Sequence, residues 1–168
     1  GMAVVSSETF TATSAPNQYA AVRAYNGSPC IEIYLKQSRR ILKALSHSVC
    51  EKLTDAGVNT ATPQGAFYIF PDFSEFRDKL ARRDFHPASE MCERILAETG
   101  VAFLPGNEFG RPDSELTARL ALVDFDGTKT LMNAQEHSLD KELPKQFVKD
   151  NCSRVIQATD KLCNWLTQ

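Results

Sequence analysis

Arg119 is the only charged side chain within the apolar, alternating stretch Leu116–Val123. A guanidinium in that setting has two readings. It is a surface residue of an edge strand, or it is a fork held by its strand to meet a carboxylate through two parallel N–H donations, a geometry lysine cannot reproduce. A second feature is Pro105-Gly106-Asn107-Glu108-Phe109-Gly110, a short loop leaving a strand, with two glycines and a large aromatic. On spacing alone it reads as an ordinary turn. The remaining reactive residue types carry less. His47, His86 and His137 stand apart from any carboxylate or cysteine at metal-ligand or triad spacing, so surface or capping roles are expected. Cys30, Cys50, Cys92, Cys152 and Cys163 contain no Cys-x-x-Cys pair and read as reduced, mostly buried thiols. Cys92 falls on the apolar face of its helix and is expected to be inert. The glycines form neither a phosphate loop nor a dinucleotide fingerprint. Spacing alone therefore assigns no catalytic residue and no metal site.

Composition narrows the class of protein without naming a function. The 168 residues fit one domain with an appendage, and 42% hydrophobic content is enough for a real core. Charge is balanced, with 19 Lys+Arg against 21 Asp+Glu, which argues against a nucleic-acid partner. No apolar run approaches the roughly 18–20 residues that cross a bilayer, and no signal-peptide pattern opens the chain. A cytoplasmic protein with no membrane partner is expected. Gly1 ahead of Met2 reads as a residue left by tag removal and is set aside.

The elements that must position Arg119 follow from periodicity. Val4–Ser14 is rich in Ser and Thr and carries little pattern. Pro16–Ala24 reads as a short helix stopped by Asn26-Gly27. Ser28-Pro29 opens a long helix that Gly57 closes, with Leu35, Leu42, Leu45, Val49, Leu53 and Ala56 on its apolar face. Lys36, Arg39, Arg40, Lys43 and Lys52 are expected on its solvated face. Val58–Thr60 and Ala66–Phe70 read as strands around Pro63-Gln64-Gly65. Helices are expected over Asp72–Arg83 and Pro87–Thr99, the second burying Ala88, Met91, Cys92, Ile95 and Leu96. Strands follow over Val101–Leu104 and Leu116–Val123, the latter with Leu116, Ala118, Leu120 and Leu122 on one face. Asp124–Glu142 is polar, irregular or carrying one short helix. Pro144–Leu166 reads as one long amphipathic helix. The pattern is α+β: a small, mostly antiparallel sheet with helices packed on one side. A helix as long as the one from Pro29 usually has more than one body to pack against.

Four segments now carry a resemblance. Thr9–Ala21, Pro63-Gln64-Gly65-Ala66-Phe67-Tyr68, Gly100–Gly110 and Ala118-Arg119-Leu120-Ala121-Leu122 occur in an order and at separations that resemble the C-terminal third of the class I/II aminotransferases, fold-type I enzymes that use pyridoxal phosphate. The resemblance runs from about Ser6 to Asp126, and the polar stretch Asp124–Glu142 departs from the family pattern. It implies that Arg119 grips the substrate α-carboxylate, and that Gly65, Phe67, Gly106 and Phe109 line the pocket from the small-domain side. It implies residues 1–27 as a remnant of the large domain near a dimer interface, and 28–168 as the small domain with its long connecting helix.

The resemblance also implies what the chain lacks. The family's Schiff-base lysine lies upstream of the segment matching Thr9–Ala21, and every lysine here, Lys36 being the first, lies downstream of that segment. Transamination needs that lysine as carrier and proton shuttle. The expected function is therefore that of the C-terminal part of an enzyme exchanging an amino group between an amino acid and a 2-oxo acid. Pyridoxal phosphate would be bound by the full-length parent and not by this chain alone, which would be inactive. The chain is further expected to self-associate as a homo-oligomer. The alternatives are a stand-alone carboxylate-binding or interaction domain of the same ancestry, and an unrelated α+β domain with redox-active cysteines.

Overall fold

The structure, a computed structural model, describes residues 2–9, 13–83, 87–112 and 114–168. His86 and the motif residues Phe10, Thr11 and Ala12 lie outside the described residues. The chain divides into two compact units, residues 1–36 and 37–168.

Within the first unit, α1 (Met2–Thr9) and α2 (Ala15–Tyr25) precede the start of α3 (Pro29–Asp55). The helix α1 was not foreseen, because its short sequence has no apolar periodicity to betray it. Pro16 sits in the first turn of α2, and Gly27, at φ +70°, takes the left-handed turn that follows its end. No residue of α2 is buried. Ser28 caps α3, its hydroxyl accepting from Ile31 N–H at 3.4 Å.

The second unit holds the core. Here α3 buries Gln37, Ile41, Leu45, Ser46, Val49, Cys50 and Leu53. Gly57, at φ +89°, ends the run as expected. With 27 residues, α3 is about 40 Å long. Arg40 is a correction to the solvated face. It is half-buried, one guanidinium nitrogen donates to Gln37 Oε1 at 2.9 Å, and Nε and Nη2 are buried without an acceptor.

Three short strands form one antiparallel sheet in the order β1 (Tyr68–Ile69), β3 (Ala118–Ala121), β2 (Leu104–Pro105). Tyr68 pairs with Ala121, and Leu104 pairs with Arg119. The expected strand at Val58–Thr60 shrinks to a single bridge, Asn59 to Asp72, and Asp72 bridges onward to Thr117. The helix expected over Asp72–Arg83 is a 3-10 turn, Ser74–Phe76, followed by α4 (Arg77–Ala81). Asp72 starts that turn by accepting from Ser74 N–H at 2.8 Å. Helix α5 (Ala88–Thr99) buries Ala88, Met91, Cys92 and Ile95, while Leu96 lies 49% exposed against expectation. Gly100 closes it at φ +74°.

After β3 comes α6 (Gly127–Ala134), capped by Asp126, whose carboxylate accepts from Lys129 N–H at 2.9 Å. The single C-terminal helix expected from Pro144 is two: α7 (Lys145–Asn151) and α8 (Ser153–Thr167), broken at Cys152. The break has a polar cause. Thr130 donates to the Asn151 carbonyl at 3.4 Å, Asn133 donates to the Asn151 side chain at 2.6 Å, and Asn151 donates back to the Phe147 carbonyl at 2.9 Å. The bond from Asn133 on α6 and the back-bond of Asn151 within α7 compete with continuation of the helix.

Ile69, Ala118, Leu120 and Leu122 from the sheet join Leu45, Val49, Leu53, Met91, Ile95, Val155, Leu162 and Leu166 from the helices in one buried cluster. Ile41, Ala134, Leu143 and Phe147 form a second, smaller cluster. The α+β expectation is borne out: helices supply the layer on the sheet's inner face. Among the described residues, no helix is long and apolar enough to cross a membrane.

Candidate functional site

Strand alternation decides where Arg119 points. Ala118 and Leu120 are buried at 0% and 7% exposure, so Arg119 between them takes the opposite face of the sheet. That outer face is apolar. Tyr68, Phe70, Leu104 and Phe109 are all between 37% and 47% exposed, as is Phe67 beside them. The guanidinium carbon of Arg119 lies 4.3 Å from the Tyr68 ring centroid and 4.2 Å from that of Phe109. Phe109 also meets Phe70 edge-on, centroids 5.9 Å apart, and Tyr68 tilts against Phe67 at 4.3 Å. Arg119 is half-buried among these rings, and no carboxylate among the described residues lies within ion-pair reach of it.

The loop that brings Phe109 to this position is a 3-10 turn, Gly106–Phe109, leaving β2. Gly106 is buried, and its N–H donates to the Thr117 carbonyl at 2.7 Å. A Cβ at Gly106 would overlap Thr117 Oγ1, so the loop can lie this close to β3 only with glycine there. Gly110, at φ +77°, ends the turn. Thr117 Oγ1 and Asn107 Oδ1 are buried beneath it with no hydrogen-bond partner. On the β1 side the backbone turns at Ala66, a non-glycine residue at φ +60°, immediately ahead of Phe67. Such a residue stores about 1 kcal/mol or more of local strain.

The residues singled out from sequence therefore separate. Arg119 and Phe109 are in contact. Phe67 reaches them only through Tyr68, and Gly106 supports the loop from behind. Gly65 sits in an open, exposed turn with nothing within 4 Å of where a Cβ would be. Tyr68 and Phe70 were missed as site residues. Positions 68 and 70 alternate to one face in the sequence, but only the pairing of β1 with β3 brings that face beside Arg119.

The other reactive groups do not converge on a site. Five cysteines are unbridged; Cys50, Cys92 and Cys152 are buried, and Cys30 is exposed. Burial pushes the Cys92 thiol up to about 12, with Glu93 adding to it, and pushes Cys152 up to about 11. Thiols so shifted are poor nucleophiles at neutral pH, and Cys92 lies buried on the apolar face of α5. His47 is exposed, and His137 packs edge-on against Phe147 at 5.5 Å. A cavity of about 530 Å³ lies along α3 between His47, Cys50, Thr60 and Lys145. Lys145 there donates to both oxygens of Glu51 at 2.6 Å, holding that carboxyl below its usual range. No group of three or more metal-ligating side chains occurs among the described residues.

The strands and loops of the Arg119 face, residues 65–70, 104–110 and 118–121, contain no lysine. They supply no amine that could hold the aldehyde of pyridoxal phosphate. Lys43, Lys52 and Lys145 are instead engaged with Glu142, Asp160 and Glu51. The residues present on this face fit an acid group and not, by themselves, that cofactor.

Comparison with known proteins places these features. The family model for aminotransferase class I and II matches residues 2–134. The aspartate aminotransferase of Bacillus sp. (strain YM-2) is 34% identical over 99 residues, covering 58% of this chain and 24% of that protein. That of Pinus pinaster is 31% identical over 142 residues, covering 80% of this chain and 28% of its own length. Among solved structures, aspartate aminotransferase from Thermus thermophilus with maleate superposes on 97% of this chain and 33% of its own, with TM-score 0.62 and 21% identity. An aromatic aminotransferase from Pyrococcus horikoshii OT3 covers 89% of this chain with TM-score 0.60. The chain spans about a quarter of the length of the curated relatives it matches.

Proposed function

The chain belongs to the class I and II aminotransferase family, and from that premise we propose that its sheet supplies the carboxylate-binding half of a transaminase site. Enzymes of this family depend on pyridoxal phosphate, which supplies the electron sink for amino-group exchange. In this reading Arg119 takes the α-carboxylate of an amino acid or 2-oxo acid through two parallel N–H donations. Phe109, Phe67 and the Gly106 turn shape the apolar surroundings, with Gly65 at the rim. Residues 1–27 belong with the large domain of a longer protein, and 28–168 form its small domain, in a cytoplasmic homo-oligomer.

The single observation that carries the reading is the state of Arg119. It is a half-buried guanidinium on the sheet's outer face, lined by rings and unpaired with any carboxylate among the described residues. A cation so placed is poised to gain most from an incoming acid group, because hydrogen bonds to charged groups are worth about 1.5–3 kcal/mol. Chemistry on the cofactor is left to groups outside this segment, so the isolated chain is expected to bind acids without turning them over.

Titration calorimetry with maleate, a simple dicarboxylate, tests the reading. Saturable binding with a Kd of about a millimolar is expected, and Arg119→Ala should abolish it. Absence of saturable binding in the unaltered chain would remove the proposal. The oligomer is tested separately. Residues 1–36 expose Met2, Tyr19, Val22, Tyr25, Ile33 and Tyr34 at 52–91%, and light scattering of a concentrated sample should show self-association. A monomer would contradict that part.

A further inference from the structure

Arg83, Arg94, Arg111 and Arg154 each meet a carboxylate within 3.4 Å or less. Arg119 meets rings instead, one from β1 and one from the turn after β2. Two separate elements thus converge on one guanidinium, each presenting an aromatic side chain at a distance well inside the roughly 6 Å over which a cation is drawn to a ring face. Each of those rings is braced in turn: Tyr68 by Phe67 and Phe109 by Phe70. Nothing about folding requires this. The inner face carries the core, while Tyr68, Phe70 and Phe109 on the outer side are each 39% exposed.

We infer that Tyr68 and Phe109 are positioning residues for Arg119: their rings, in place of a protein carboxylate, fix the guanidinium while leaving its N–H edge open for an acid group. This rests on the reading of Arg119 as a carboxylate grip and adds how that grip is held. The physical case is one of exclusion. An arginine oriented by a protein carboxylate would have its donors occupied, and an incoming acid would have to displace that partner. An arginine left alone in water would keep its rotamer freedom and lose it on binding, since the side chain carries about 2 kcal/mol of rotamer entropy. Ring contacts avoid both penalties, because they engage the π-face of the cation and use none of its hydrogen bonds. The substitution of leucine for either ring keeps apolar bulk and removes the quadrupole, so it isolates the interaction.

The test reads Arg119 directly and needs no turnover. Side-chain ¹⁵N relaxation of the Arg119 Nε–H in this chain is expected to give an order parameter near the rigid-backbone value of about 0.85, falling below about 0.6 in Tyr68→Leu and Phe109→Leu. Tyr68→Phe and Phe109→Tyr, which put a ring back, should restore it. Maleate affinity should fall about threefold for each leucine variant and about tenfold for both together, the scale set by exposed cation–ring contacts. Unchanged backbone amide shifts for Leu116, Ala118 and Leu120 would show that the inner core is intact in each variant. An order parameter indifferent to the leucine substitutions, or lost equally in the ring-restoring pair, would overturn the inference. If Arg119→Ala ends maleate binding while both leucine variants bind as the unaltered chain does, the inference fails and the carboxylate reading stands. If the ring-dependent order parameter holds but no variant, nor the unaltered chain, binds maleate, the rings do position Arg119 and the carboxylate reading is what fails.

Discussion

The two faces of β3 were made by the same four residues and do opposite work. Ala118 and Leu120 point into a cluster shared with α3, α5 and α8, and their environment is closed. Arg119 and Ala121 point away from it, toward rings that are only partly covered. The inner face is satisfied by the chain itself. The outer face is left with a guanidinium that has neighbours but no acid partner among the described residues. One strand thus shows how a fold separates what stabilises it from what it offers to a ligand.

That separation can be broken by substitutions, and the largest effect belongs to the inner face. Leu120→Ala removes a side chain that is 7% exposed from the centre of the sheet and should cost about 2–4 kcal/mol, read as a lowered urea midpoint. Maleate affinity per folded molecule should be unchanged. Equal loss of affinity would mean that the two faces are not independent. Gly106→Ala should cost about 2 kcal/mol, because the added methyl overlaps Thr117 Oγ1 and the turn must move. Since that turn carries Phe109, this variant should lower both stability and affinity. Arg119→Ala should cost only about 1 kcal/mol of stability, the worth of two exposed ring contacts, while ending maleate binding.

The smallest effect sharpens the comparison from helix α5, at Glu98. Glu98 accepts from Trp165 Nε1–H at 2.6 Å and lies beside Arg94 and Arg83, and these hold its carboxyl below the usual range, the Trp165 bond first. A carboxylate depressed in the folded state stabilises the fold above its unfolded pKa of 4.5, and that contribution is lost as pH falls through the lower folded value. The urea midpoint should therefore drop between pH 6 and pH 3.5, and Glu98→Gln should reduce the drop. Maleate affinity at pH 6 should not respond to Glu98→Gln at all.

Much of the fold was legible in the sequence, and what escaped has physical causes. The capping of α3 by Ser28, its end at Gly57, the stop of α5 at Gly100 and the inward face of β3 all follow from cap chemistry and period two. The break at Cys152 escaped because the apolar stripe runs through it unbroken. What ends α7 is a set of hydrogen bonds from Thr130 and Asn133, more than 15 residues earlier in the chain, and no local pattern announces those. The strand at Val58–Thr60 escaped in the other sense: only Asn59 bridges to Asp72, while the Val58 N–H donates back to the Leu53 carbonyl at the end of α3. At the site, Arg119 and Phe109 stood out by residue type and by resemblance to the family. Tyr68 and Phe70 did not, because their role depends on which strand pairs beside β3, and register is a property of the assembled sheet.

Amide-detected titration of the labelled chain with maleate addresses the central claim most directly. The account predicts saturable shifts confined to residues 65–70, 104–110 and 118–121, absent in Arg119→Ala. Shifts centred instead on the cavity by His47 and Lys145, or shifts on the sheet that persist without the guanidinium, would contradict it.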